Sequence, residues 1–123
     1  MNVKINFTRI DFELALEELS ASKNFFTRFR NSAICCTSIA GIVALYCLHE
    51  PIGASDPSIL NVHLPTVLSS PRVRQELCDK LFAHSEPTYD HLATIVKLIV
   101  QVAFHRLHML QVRKAEHVAT SVC

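Results

Sequence analysis

Two glycines and no tryptophan occur in 123 residues. So little glycine excludes a fold built on tight primed hairpin turns, whose central residues need positive φ, and makes sandwiches and small barrels poor candidates. No glycine-rich loop is present to cradle a phosphate, and neither H-E-x-x-H nor G-x-S-x-G occurs. An excess of one charge is missing too. Twelve Lys plus Arg stand against 11 Asp plus Glu, for a net charge of +1. The densest basic groups are only pairs: Arg28 with Arg30, Arg72 with Arg74, and Arg113 with Lys114. Such pairs read as solvated helix ends rather than a phosphate-neutralising stripe, so no nucleic-acid partner is expected.

The five cysteines, Cys35, Cys36, Cys47, Cys78 and Cys123, are odd in number and show no C-x-x-C spacing. They fit a reducing intracellular compartment better than a disulfide framework. Asp11, Glu13, Glu17 and Glu18 fall where a cleavable targeting segment avoids acids, so none is expected.

What is present is apolar: half of the residues are hydrophobic and 19% are charged. A chain of this length and balance folds, and its size suits one domain spanning residues 1–123. The expected fold is all-α: a compact bundle of about four or five helices around a central apolar helix, with a short extended N-terminal arm.

The central helix is sought in residues 31–48, NSAICCTSIAGIVALYCL, an eighteen-residue run without charge or proline. Eighteen residues lie at the lower edge of what spans a hydrocarbon core of about 30 Å, and Asn31, Ser32, Thr37, Ser38 and Tyr46 dilute the run. It therefore reads first as a buried helix of a soluble bundle and second as a bilayer span.

Around it, Val3, Ile5 and Phe7 alternate with polar residues over residues 1–8, the pattern of an extended arm that docks on the body or on another chain. Thr8, with Asp11 three residues on, caps a helix whose apolar face is Phe12, Ala15, Leu16 and Leu19 and which ends near residues 20–22. Four of the five prolines fall in residues 50–71, so this stretch reads as a connector lying on the body, with short helical turns at 58–62 and 66–68. Ser70-Pro71 starts a helix over about 71–83, with Val73, Leu77, Cys78, Leu81 and Phe82 inward. The longest helix runs over about 87–114. Its polar residues, Asp90, Thr94, Lys97, Gln101, His105 and His108, form one narrow stripe, so neighbours should cover most of its girth. Residues 116–123 are expected to fray.

Chemistry is sparse. His105 and His108 share a helix face, Cys47 lies two residues from His49, and Cys78 and His84 are conceivable fourth ligands, but no paired metal spacing frames them. Cys47 and His49 also do not face each other on a helix, as a thiol nucleophile and its base must. No catalytic residue, cofactor site or metal site is expected, and the chain does not read as an enzyme.

Two strongly apolar helices exceed what three short amphipathic elements cover, so the expected function is a protein-interaction or adaptor role, with a protein partner or a second copy of the chain. The contact residues expected are Phe25, Phe26, Arg28, Phe29 and Arg30, and the stripe of Lys97, Gln101, His105 and His108. The alternative is a small membrane-anchored subunit of a larger assembly with residues 31–48 in lipid, where Phe25–Arg30 would suit the headgroup layer.

Overall fold

A computed structural model describes residues 3–21, 38–49 and 57–122. The described residues form five helices: α1 (Arg9–Ala21), α2 (Ile39–His49), α3 (Pro57–Leu68), α4 (Pro71–Phe82) and α5 (Tyr89–Val122). Both α1 and α5 pack against α2, α3 and α4, which therefore form a layer between them.

Each start has a local cause. Thr8 and Asp11 form a reciprocal box at α1: the Thr8 amide donates to Asp11 Oδ2 (3.0 Å), and the Asp11 amide donates to Thr8 Oγ1 (3.2 Å). Hydrogen bonds to the carboxylate from Thr8, its amide first and then its side chain, hold Asp11 below its ordinary pKa. Ser38 Oγ accepts from the Gly41 amide (2.9 Å) at the start of α2. Ser70 is extended (φ −75°, ψ 120°) and accepts from the Val73 amide, with Pro71 in the first turn of α4, where its missing N–H costs nothing.

The start of α5 is less obvious. Thr88 Oγ1 accepts from the His91 amide (3.4 Å), and the Thr88 amide donates to His91 Nδ1 (3.0 Å), so an imidazole fills the role that Glu or Gln usually has. The His91 ring stacks on His84, with centroids 3.6 Å apart and planes 5° from parallel.

The N-terminal arm docks on the body of its own chain. Lys4 bridges antiparallel to Thr88, the Ile5 amide donates to the Pro87 carbonyl (2.9 Å), and the Tyr89 amide donates to the Val3 carbonyl (2.9 Å). Ile5 is thereby buried and Phe7 stacks on Phe12.

Two expectations are corrected. The connector over residues 50–71 is a core element in its described part: α3 runs unbroken through Pro65, with Leu60, Leu64 and Leu68 fully buried between α1 and α5. Proline is unfavourable inside a helix, but three leucines on one face gain more by burial than one missing backbone bond costs. The helix α5 runs to Val122, with no glycine or proline after Pro87 to interrupt it. The girth of α5 is covered only over its first half. Helices of 11 to 13 residues are about 16–20 Å long, whereas 34 residues reach about 51 Å, so α5 outruns the layer it packs on. Leu92, Ile95, Val96, Ile99, Val100 and Ala103 are buried, whereas Met109 and Leu110 are exposed.

Candidate functional site

A groove of about 350 Å³ opens between α4 and α5. Val73 and Leu77, one turn apart on α4, face Leu98 and Val102, one turn apart on α5, while Val67 of α3 and Ile99 close the bottom. The i, i+4 spacing gives each wall a row of apolar side chains, a shape that accepts the ridge of another helix. Leu98 and Val102 leave 37% and 51% of their surfaces exposed, so the α5 wall of the groove is open to solvent. Glu76 and Lys80 sit on the α4 rim; Glu76 is tied to Arg72 at 3.5 Å, which leaves the lysine as the rim's outward charge.

Beyond Val102 the same face of α5 carries Arg106, Met109 and Arg113, all exposed. At 100° per residue, Leu98, Val102, Met109 and Arg113 fall within one sector about 60° wide, with His105 and Arg106 to either side, so the groove runs out along the projecting helix as a mixed apolar and cationic track.

The expected stripe of Lys97, Gln101, His105 and His108 is exposed along α5. It lies beside the groove and lines none of it. Phe25, Phe26, Arg28, Phe29 and Arg30 lie outside the described residues, as do Cys35, Cys36 and Cys123. The groove residues were hidden in the sequence because Val73, Leu98 and Val102 sit in patterns that read as core. Only the pairing of α4 with α5 leaves them partly open.

Cys47 and Cys78 are both buried. Burial pushes the Cys78 thiol above its ordinary pKa, with the nearby Arg9 guanidinium opposing, so the thiolate needed for nucleophilic or metal chemistry is disfavoured there. Among the described residues no three His, Cys, Asp or Glu side chains are grouped to hold a metal ion. His49, two residues from Cys47, ends α2 with its imidazole exposed.

For lipid, the informative elements are α2 and α5. The described α2 has 11 residues, about 16 Å of helix, and residues 31–37 of the apolar run lie outside the described residues. Residues Tyr89–Glu116 of α5 are long and apolar enough to cross a membrane, with Lys97 in their first third and 35% of the apolar window buried in the bundle.

No protein family, characterised protein or solved structure matches the chain.

Proposed function

We propose that the chain is a non-enzymatic docking module whose groove between α4 and α5 receives an amphipathic helix of a protein partner. The carrying observation is the apolar groove itself, in which Val73 and the buried Leu77 of α4 face Leu98 and Val102 of α5, the last two exposed to solvent. An apolar slot two turns long with charged rims is the geometry of helix-in-groove recognition, where i, i+4 anchors supply affinity and rim charges choose the partner. Lys80 on the rim, with Glu76 already paired to Arg72, and Arg106 on the extension favour a helix with acidic flanks. The buried Cys47 and Cys78 thiols agree with a binding role rather than a catalytic one.

The test is a titration of the purified, isotope-labelled chain with synthetic amphipathic helices carrying acidic, neutral or basic flanks, followed by amide shifts. Saturable shifts centred on Val73, Leu77, Leu98 and Val102, strongest with acidic flanks, support the reading. No saturable shift with any of the three refutes it.

A membrane-associated role is the second reading, and α5 rather than residues 31–48 motivates it among the described helices. Against it, Leu92, Ile95, Val96, Ile99 and Val100 already pack inside the bundle, and the 35% of the apolar window that they help bury would have to leave the core for the helix to cross a bilayer. Alkaline carbonate extraction separates the two: release into the supernatant supports the docking reading, and retention in the membrane pellet supports the lipid one.

A further inference from the structure

The outer face of α1 has the shape and charge that the groove lacks. Ile10 and Leu14, one turn apart, are 69% and 57% exposed, although α1 buries Phe12, Leu16 and Leu19 on its other side. They form an apolar ridge flanked by Glu13 and Glu18. The α4–α5 groove presents the converse: an apolar slot with Lys80 and the Arg72-paired Glu76 on its rim, and with Arg106 and Arg113 on its extension along α5.

We infer that the groove of one copy receives the α1 ridge of a second copy, so that the chain associates head to tail. The inference rests on the docking reading above and names the partner. Ile10 and Leu14 would enter between the rows Val73–Leu77 and Leu98–Val102, and Glu13 and Glu18 would meet Lys80 and Arg106. Opposite charges at such a rim set the register and speed encounter, while the apolar contact supplies affinity. A copy cannot satisfy its own groove, because α1 is fixed on the layer of α2, α3 and α4 that also carries α5. The ridge on α1 and the groove beside α5 lie on opposite sides of the layer of α2, α3 and α4, so two copies do not fill each other's grooves at once; the contact is heterologous and each added copy leaves one ridge and one groove unfilled.

This topology has a signature no two-fold dimer shares. Leu14→Glu spoils the ridge and keeps the groove; Val102→Glu spoils the groove and keeps the ridge. Both residues are more than half exposed, so both variants retain the fold, checked by circular dichroism. Light scattering on the full chain over a concentration series should show the wild-type mass rising past that of a dimer, each variant at the mass of one chain, and an equimolar mixture at two chains and no more. Glu18→Lys should lower the wild-type mass average as well, and added salt should do the same. A wild type that stays at one chain throughout, a Leu14→Glu variant that associates like wild type, or a mixture that remains at one chain each overturns the inference. If acidic amphipathic peptides still shift the groove residues in that case, the docking reading stands and only the second copy as partner is removed.

Discussion

Arg74 of α4 and Glu17 of α1 meet across the C-terminal end of α3, with Arg74 Nη2 donating to Glu17 Oε1 at 3.4 Å. The same guanidinium caps α3, Nη1 donating to the carbonyls of Leu68 (2.8 Å) and Ser69 (3.1 Å). One side chain, 12% exposed, thus ties three helices together where the chain turns from α3 into α4. Its Nε is buried without a hydrogen-bond partner, a small cost outweighed by three charge-assisted bonds.

Replacing Arg74 by alanine should therefore destabilise the fold by roughly 1–3 kcal/mol, because it strips two helix-end carbonyls of their donor. Glu17→Gln should cost less than about 1 kcal/mol, since Glu17 is half exposed and the carbonyl bonds remain. Chemical denaturation of both variants checks the order. Equal losses would show that the ion pair, and not the cap, is what matters.

Asp11 gives the fold an acid limit. Its carboxyl is held below the ordinary value by the hydrogen bonds from Thr8, so the folded state favours the ionised form. The resulting stabilisation is present in full above the unfolded-state pKa of about 3.9 and is lost as pH falls through the lower folded value. The stability gap between wild type and Asp11→Asn should be widest near neutrality and close in acid. Urea melts at several pH values measure it, and a gap independent of pH would contradict the assignment.

Pro65 lies inside α3, where its nitrogen cannot donate to the carbonyl one turn back. Pro65→Ala restores that donor and should raise stability by about 1–3 kcal/mol, less the entropy that proline removes from the unfolded chain. A lowered melting temperature would show that α3 is not helical through this position.

The two buried thiols make a separate check. In a chain with Cys35, Cys36 and Cys123 changed to serine, Cys47 and Cys78 should react with a disulfide reagent only as fast as the fold opens. Fast stoichiometric labelling of either thiol under native conditions would contradict the packing described.

Much of this architecture is legible in the residues themselves. The Thr8–Asp11 box, the inward face of Phe12, Ala15, Leu16 and Leu19, and the Ser70-Pro71 start all follow from spacing and side-chain chemistry acting within a few residues. Pro65 misleads because local preference argues for a break, while the buried Leu60, Leu64 and Leu68 hold the helix together from a distance. His91 escapes notice at the start of α5 because imidazole is an unusual member of a capping box. The groove is least legible of all. Val73, Leu98 and Val102 carry the same periodic signature as the core, and their exposure depends on how far apart α4 and α5 settle, which no single-helix pattern encodes. The polar stripe from Lys97 to His108 was visible for the opposite reason, since polarity on a greasy helix stands out whether or not anything binds it.

The most direct measurement compares two neighbours on α5 by calorimetric titration with an acidic amphipathic helix. Val102 lines the groove and Gln101 points along the stripe beside it, yet both are exposed and both accept glutamate without disturbing the core. Val102→Glu should weaken binding by tenfold or more, about 1.4 kcal/mol, whereas Gln101→Glu should change it by less than about threefold. Equal effects, or loss confined to Gln101→Glu, would contradict the groove as the docking site.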